Sequence, residues 1–533
     1  MDTFPFIYVR VAPSTWAYLS SLLMLALFFK FNRFWSVRNL DLCLIILLAP
    51  GLLLIEGGRQ WVAQNSSVVE SARESASNLA EPIEKAMPPA GLQASVNSES
   101  TAGGDNPIPM EEGLLSPKDE EENSATPTTD EKIAGGKELN LDSKGIVWQR
   151  LGYYWLFSIG GILLIRMLID PGLTRRPQLE PNLAIGGMVF FGFSLMMFLF
   201  ANIAISEPTN EDLSGSRNAV KLLQRKAVDA EGEEQLKRRG PGYTLFNLFP
   251  IIPSFESGDA ILKTNPDTQK LTDMSRYIIA AKSLAIASQV LIVLGLVLFC
   301  YFNYDNFKVG VGISTIYLML PYTSIYTGHV LHVLPAALIL WAILSFRRPW
   351  IAGILFGLAT SVSYYPIFLL PLWISFFWDR GRWRFIVGAL IAILICIGVL
   401  LFTSANLMAF WGQLQVMFGF WSPRMDGLQG IWALGWSNWW RLPLLVAFVL
   451  FCVSFAAWPS QKNIGTLVGY SAAVMLAVQY WHGFSGGVYM AWYLPMVLLI
   501  FFRPNLDGRT AQMEVGGIRR RQKETAEDLL PSS

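Results

Sequence analysis

Runs of apolar residues separated by short polar breaks dominate the pattern of this chain. A membrane-spanning helix needs roughly 20 apolar residues, or fewer where it is kinked or buried in protein. On this rule the pattern predicts an all-α polytopic transmembrane helix bundle of about 13 spans. These spans lie near 14–30, 39–55, 149–169, 183–203, 277–301, 309–325, 330–346, 350–365, 366–378, 385–403, 441–457, 464–481 and 488–502.

Two of the predicted spans, 350–365 and 366–378, are short and are divided by Pro366. A hairpin of half-helices is therefore an alternative to two full crossings. Gly353 and Gly357 form a Gly-x-x-x-Gly pattern in the first of them. Such a pattern predicts a face that packs closely against a neighbouring helix.

Basic residues in the short breaks set the predicted orientation, because Lys and Arg there are retained on the cytoplasmic side. Arg347 with Arg348, the stretch from Arg380 to Arg384, and Lys462 mark inner breaks. The N-terminus is then predicted outside and the C-terminus inside. The long segments predicted on the outer side are 56–148, 204–276 and 404–440.

Composition and span positions together divide the chain into six parts. Segment 62–145 is rich in Ser, Pro and acidic residues and cannot bury enough apolar surface to offset chain entropy, so it is predicted to be disordered. The parts are 1–61, the first two transmembrane helices; 62–145, the disordered outer-side linker; 146–203, two transmembrane helices; 204–276, an outer-side segment with an amphipathic helix; 277–503, a transmembrane bundle of about nine spans with a Trp-rich outer loop at 404–440; and 504–533, a cytoplasmic basic tail.

The bulk composition agrees with a membrane protein and excludes a nucleic-acid partner. Hydrophobic residues make up 53% of the 533-residue chain and charged residues 15%, against about 25% charged in soluble proteins. The 41 basic and 40 acidic residues give a net charge of +1, too small for a nucleic-acid-binding face. The predicted partner is the lipid bilayer, and the predicted location is the cell inner (plasma) membrane as a multi-pass protein. Protein partners cannot be named from the sequence.

All three histidines of the chain fall in predicted outer-side breaks. His329 and His332 are three residues apart in a segment with helical character, which places them on one face, and His482 precedes a glycine-rich turn. Such a trio could bind a divalent cation or a phosphate, or act as a general base near neutral pH. The alternative is that they are core or interface histidines with ordinary hydrogen bonds. Tyr326 is grouped with them as a predicted substrate-binding residue.

Acid–base chemistry also requires carboxylates, and few lie on the predicted outer side close to a span end. Glu56, at the exit of the second span, and Glu207, just after the fourth, lie nearest the bilayer surface and are the candidate catalytic residues. Arg59 and Arg424 are outer-side cations able to bind a phosphate bidentately. The outer-side carboxylates close to a span end are Glu56, Glu207, Glu211, Asp212, Asp259, Asp273 and Asp426.

The stretch PYTSIYTGHVLHVLPAALILWAILSFRRPWIAGILFGLATSVSYYPIFLLPLW resembles the middle of bacterial polytopic glycosyltransferases of the GT-C class, especially the polyprenyl-phosphate-mannose-dependent family 87. The late stretch YMAWYLPMVLLIFFRP, from Tyr489, is similar to the last span of that class. The residues that carry the resemblance are Pro321, Gly328, His329, Arg348, Pro349, Ala352, Gly353, Gly357, Ala359 and Pro366.

The resemblance implies a GT-C-like helix bundle with a cavity on the non-cytoplasmic side. It also implies inverting transfer of a sugar from a polyprenyl-phosphate donor to an acceptor, with an acidic residue of the first outer loop as base. Glu56 and Glu207 are the nearest equivalents, although neither belongs to an acidic pair. Two other functions remain open: a transporter or flippase for a lipid-linked or polar solute, and a non-catalytic membrane scaffold.

Overall fold

The structure is a computed structural model that describes a large part of the chain. The described residues are 11–65, 129–173, 179–223, 239–256, 266–404, 406–408, 410, 411, 414, 425, 427–459, 461–506 and 515. The chain divides into two compact units. One consists of Met1–Ile55 with Arg150–Ser533, and the other of Glu56–Gln149.

The described residues form α-helices joined by 3₁₀ turns and loops, which confirms the all-α fold class. Several helices begin with proline at the first helical position, where its missing N–H is harmless. In chain order the helices are α1 Pro13–Phe28, α2 Val37–Asn65 with a turn at Leu47, α3 Thr129–Ile169, α4 Ile185–Ile205, α5 Asn210–Leu223, α6 Pro241–Glu256, α7 Pro266–Tyr304, α8 Phe307–Met319, α9 Pro321–Tyr326, α10 Val330–Leu344, α11 Pro349–Val362, α12 Leu370–Phe376, α13 Arg382–Thr403, α14 Arg441–Ala457, α15 Ile464–Trp481 and α16 Leu494–Phe501.

Within the described residues, seven helical segments are long and apolar enough to cross a membrane, so the architecture is that of a polytopic membrane protein. The same residues contain five shorter apolar helices, of 10–17 residues, that also coincide with predicted spans. The prediction of about 13 spans is therefore met only in part. The seven long segments are Val37–Asn65, Lys144–Gly172, Ile185–Ile205, Met274–Tyr304, Arg382–Leu401, Asn438–Ala457 and Ile464–Trp481.

The short helices α8 and α10 lie inside the bundle, where other helices replace lipid as their surroundings. All eleven residues from Val309 to Met319 are buried, as are most residues of α10. A helix surrounded by protein does not have to match the thickness of the hydrocarbon layer. This burial explains how spans of 13 and 15 residues fit in the bundle.

Helices α11 and α13 pack with their backbones in contact, which confirms the role predicted for the Gly-x-x-x-Gly pattern. A Cβ atom at Gly353 would lie 2.2 Å from the carbonyl oxygen of Phe385, and one at Gly357 would lie 2.4 Å from that of Ala389. From the other side, a Cβ at Gly388 would lie 2.5 Å from the carbonyl oxygen of Trp350. Only glycine permits this approach, because any side chain would separate the helices.

Replacing Gly353 by alanine should lower the free energy of unfolding by about 1–3 kcal/mol, because the added methyl group overpacks the contact between α11 and α13. The matched control is Gly398→Ala on α13, where an added Cβ meets no atom within 4 Å. There the higher helix propensity of alanine should leave stability unchanged or raise it by up to about 1 kcal/mol. Thermal unfolding in detergent measures both; equal Tm changes would contradict the contact.

Four charged side chains form a buried network where α2, α3 and α16 meet. The Arg166 guanidinium donates two hydrogen bonds to Asp41, both of 2.8 Å, and a third of 3.1 Å to Asp170. Asp170 in turn accepts hydrogen bonds from Arg503, with Nε at 2.8 Å and Nη2 at 2.7 Å. The bidentate pairing with Asp41 keeps the Arg166 guanidinium inside the bundle.

Removing one member of this network should be strongly destabilising, because it leaves a buried charge with fewer partners. Asp41→Leu alone is expected to lower the free energy of unfolding by about 3–5 kcal/mol. The double variant Asp41→Leu/Arg166→Met should lose less than the sum of the single losses, by about 1–3 kcal/mol. Additive losses in a double-mutant cycle would show that the two side chains act independently.

The structure differs from the sequence prediction at the ends of two polar segments. Residues 62–65 and 129–145 are helical, although they belong to the stretch 62–145 predicted to be disordered; residues 66–128 lie outside the described part. Glu and Lys favour helices, so a polar composition does not prevent a span from extending beyond the membrane. The turn residues Gly240-Pro241-Gly242 lead into α6, which has Pro241 at its first helical position.

Candidate functional site

The buried carboxylate of Asp212 joins the first turn of α5 to the start of α10. Its Oδ2 atom accepts hydrogen bonds from the Thr209 hydroxyl at 2.7 Å and from Nδ1 of His329 at 3.0 Å. Its Oδ1 atom accepts one from the backbone N–H of Val330 at 3.3 Å. One carboxylate therefore positions the histidine that precedes α10 and satisfies one of the helix's first N–H groups.

The ionisation of Asp212 reflects two opposing effects. Burial disfavours the charged carboxylate, but the hydrogen bond and charge of His329, the Thr209 hydroxyl and the charge of Arg239 outweigh it and hold the pKa of Asp212 below its usual value. The group is thus an anion at neutral pH. Its oxygens accept hydrogen bonds from three donors, so the role of Asp212 is to fix the positions of α5, His329 and α10 relative to one another.

A stack of aromatic rings connects the three histidines predicted from the sequence. The His332 ring lies between Tyr326, at 4.8 Å between centroids, and Tyr489, at 4.2 Å. Tyr489 also lies 4.7 Å from His482, and His329 lies 5.5 Å from His332. The structure therefore brings all three histidines and Tyr326 into one cluster.

Arg239 is a buried cation whose guanidinium is incompletely satisfied. It is 4% exposed. Its Nη1 atom donates a hydrogen bond to the Ser214 hydroxyl, and its guanidinium lies 4.6 Å from the centroid of the Tyr243 ring. Its Nε–H has no hydrogen-bond partner in the described part of the chain. A buried N–H left in this way is energetically unfavourable and ready to bind an anion.

The position of Arg239 is fixed by a close approach of backbones. The N–H of Gly240 donates to the carbonyl of Val362 at 3.2 Å, and the Tyr364 hydroxyl donates to the carbonyl of Arg239 at 2.8 Å. A Cβ atom at Gly240 would lie within 1.9 Å of the Ser361 carbonyl oxygen. Glycine at this position thus lets the start of α6 sit against the end of α11.

These elements surround a pocket whose lining residues come from α5, from α10, from the segment just before α6 and from the segments after α11, α13 and α15. The cavity at its centre is ≈ 30 Å³, above the roughly 10–15 Å³ that a water molecule needs. The total space between the lining residues, part of it open to solvent, is ≈ 420 Å³. The lining residues are Glu211, Arg239, Leu331, Ser363, Tyr365, Gln429, His482, Phe484, Tyr489 and Trp492.

The pocket lies at the helix ends opposite the basic breaks. His329 precedes α10 and His482 follows α15, whereas Arg348 and Lys462 lie at the other ends of the helices concerned. Basic residues favour the cytoplasmic side. The pocket therefore lies on the side for which the sequence predicts the outer face.

The structure does not place the two predicted catalytic carboxylates at this pocket. Glu207 is exposed and is not among the lining residues. Glu56 and Arg59 belong to the second compact unit, where their side chains form an ion pair of 3.1 Å. Arg424 lies outside the described residues. Of the predicted site residues that the structure describes, His482 alone lines the pocket itself.

The sequence analysis missed several residues that form the site. Glu211 and Asp212 were among the outer-side carboxylates, but their distance from the span end ranked them below Glu207. Arg239 ends the run Lys237-Arg238-Arg239, in which one buried cation cannot be recognised. The proline and glycines that follow this run were the available signal for a fixed backbone.

The described residues contain no group of three or more His, Cys, Asp or Glu side chains arranged to hold a metal ion. The divalent cation considered from the histidine pattern thus has no ligand set in this part of the chain. The Trp-rich loop contains both buried and exposed tryptophans. Trp432 is buried and donates its indole N–H to the His482 carbonyl at 3.1 Å, while Trp439 and Trp440 are exposed, as residues at a bilayer surface would be.

The fold and site define a polytopic helical membrane protein with a polar, aromatic pocket at one end of its helices. Comparisons with protein-family models, with curated proteins and with solved structures found no match.

Asp212→Asn should destabilise the protein at neutral pH by about 1–3 kcal/mol, because an amide cannot replace the charge that binds His329. The folded-state pKa of Asp212 is depressed, so its contribution is present above the unfolded-state value and is lost as the pH falls through the folded-state value. The gap between wild type and variant should therefore narrow below about pH 4.

Thermal unfolding in detergent between neutral and acid pH measures this gap. The control is Glu207→Gln, which removes an exposed carboxylate of the same segment and should leave Tm unchanged. A stability difference that persists unchanged in acid would show that the charge of Asp212 is not what stabilises this contact.

Proposed function

We propose that the protein is a membrane glycosyltransferase that transfers a sugar from a polyprenyl-phosphate donor to an acceptor at the non-cytoplasmic face. The observation that carries this proposal is that one pocket is lined both by Arg239, whose buried Nε–H has no hydrogen-bond partner in the described part of the chain, and by the carboxylate residue Glu211. Transfer from a lipid phosphate needs these two groups, a cation for the leaving phosphate and a base for the acceptor. The resemblance to GT-C enzymes supports the same reaction class.

In this proposal Glu211 replaces Glu56 and Glu207 as the candidate base. Glu211 lines the pocket and stands in the first turn of α5. The neighbouring Asp212 is less suited to accept a proton, because its oxygens accept three hydrogen bonds and its pKa is lowered. The two adjacent carboxylates then have separate roles, with Asp212 positioning and Glu211 reacting.

The reaction is a single inverting displacement. The Glu211 carboxylate accepts the proton of the acceptor hydroxyl as that oxygen forms a bond to the anomeric carbon. The bond between the anomeric carbon and the phosphate oxygen breaks, and its electron pair leaves with the polyprenyl phosphate. The Nε–H of Arg239 donates to that phosphate, which carries the developing negative charge.

The remaining lining residues suit a sugar. Tyr365 and Trp492 present aromatic rings, on which the C–H groups of a pyranose can pack, and Gln429 supplies an amide that can bind hydroxyl groups. The small central cavity would have to widen to admit a whole sugar ring.

The test is incubation of the purified protein with polyprenyl-phosphate mannose and a panel of acceptors, including water. Glu211→Gln is expected to reduce kcat by about 10²–10⁴-fold, the range for loss of a general base. Arg239→Gln should reduce kcat as well, because it stabilises charge that develops in the transition state. Glu207→Gln is the matched control and should retain wild-type activity.

Two results would overturn the proposal. The first is full activity in Glu211→Gln, and the second is no transfer or hydrolysis with any acceptor class. Binding of the lipid without turnover would favour the transporter or flippase. Absence of both binding and turnover would favour the non-catalytic scaffold.

A further inference from the structure

His482 lies in the pocket wall within a box of aromatic side chains. Its ring centroid is 4.4 Å from that of Tyr365, 4.7 Å from Tyr489 and 5.7 Å from Trp492. The backbone around it is fixed as well, since its N–H donates to Val478 and its carbonyl accepts from the Trp432 indole. The imidazole therefore has one orientation in this wall.

The hydrogen bond at Nδ1 determines which ring nitrogen carries the proton. The backbone N–H of Phe484 points at Nδ1 of His482 over 3.1 Å. A backbone N–H can only donate, so Nδ1 must be the unprotonated acceptor. In a neutral imidazole the proton is then on Nε2, which becomes a hydrogen-bond donor.

The surroundings keep this imidazole neutral. Burial, reinforced by the positive charge of Arg441, lowers the pKa of His482 to about 3. Arg441 is held close by, because its Nε–H donates to the carbonyl of Trp481 at 3.2 Å. The other ionisable groups that face His482 or share its pocket are Glu211, Arg239, Tyr365 and Tyr489.

The Nε2–H has no acceptor in the described part of the chain, although His482 is 3% exposed and lines the pocket. This N–H belongs to a neutral ring with a fixed tautomer and has no protein acceptor among the described residues. It can therefore donate a hydrogen bond to an oxygen atom of a ligand. A base would need the opposite arrangement, with an unprotonated nitrogen at the pocket.

We infer that His482 is a neutral hydrogen-bond donor that positions an oxygen atom of the ligand, and not a residue that accepts a proton. The identity of that oxygen rests on the proposed function, in which it is a hydroxyl oxygen of the donor sugar. The tautomer rests only on the hydrogen bond from Phe484. His482 is thus a positioning residue of the pocket.

Nitrogen NMR of the protein in lipid nanodiscs, labelled with ¹⁵N only at histidine, tests the tautomer directly. The chain has three histidines, so the signals that disappear in His482→Gln are those of His482. The expected spectrum shows Nδ1 unprotonated and Nε2 protonated at His482, unchanged between about pH 5 and pH 8. A protonated Nδ1, or titration in that range, would overturn the inference.

Two substitutions test the ligand contact, with equilibrium binding of polyprenyl-phosphate mannose as the readout. The amide of His482→Gln can reach the position of Nε2 and should retain most of the affinity. The side chain of His482→Asn can still accept from Phe484 but cannot reach the ligand. Its affinity should fall about threefold to tenfold, the worth of one neutral hydrogen bond, in samples whose Tm shows that they are folded at the assay temperature.

Equal affinities of the asparagine, glutamine and wild-type proteins would overturn the ligand contact, because no donor at this position would then matter. A wild-type protein that does not bind this lipid, yet shows the expected tautomer by NMR, would refute the proposed function and support the assignment of His482 as a donor. The two hypotheses therefore fail by different results.

Discussion

The cost of removing charge from water is the constraint on which this structure depends. Where α2, α3 and α16 meet, Arg166 and Arg503 each donate to carboxylates, so two cations and two anions compensate one another inside the bundle. At the pocket, Asp212 is compensated by His329, but Arg239 has a hydroxyl and an aromatic ring as its contacts. A cation hydrogen-bonded to carboxylates stabilises the bundle, whereas a cation whose hydrogen bond goes to a hydroxyl keeps the capacity to bind an anion.

The same contrast separates the two adjacent carboxylates of α5. Asp212 is buried, ionised and surrounded by donors, so it behaves as part of the framework. Glu211 is exposed to the pocket. Neighbouring residues on a helix point about 100° apart, which is why one side chain can enter the protein while the next faces a ligand. One helical turn therefore supplies both a structural carboxylate and a carboxylate that lines the pocket.

Local patterns in the sequence predicted those features that depend on local physics. Long apolar runs predicted the spanning helices, Arg347 and Arg348 marked the break between α10 and α11, and Gly353 with Gly357 predicted a close helix contact. The pairing of Asp212 with His329 joins residues 117 positions apart, and no periodicity encodes it. The same is true of the pairing of Arg166 with Asp41, which lie 125 positions apart.

Helix α11 touches backbone on two sides, at α13 through Gly353 and Gly357 and at the start of α6 through Gly240. A helix fixed by contacts of this kind cannot bend and moves only with its neighbours. The loop after α15 also lines the pocket. In this loop Gly487 adopts a left-handed φ of 95°, and its backbone N–H donates a hydrogen bond to the side-chain oxygen of Gln479. Any widening of the pocket therefore has to come from its other lining elements and not from α11.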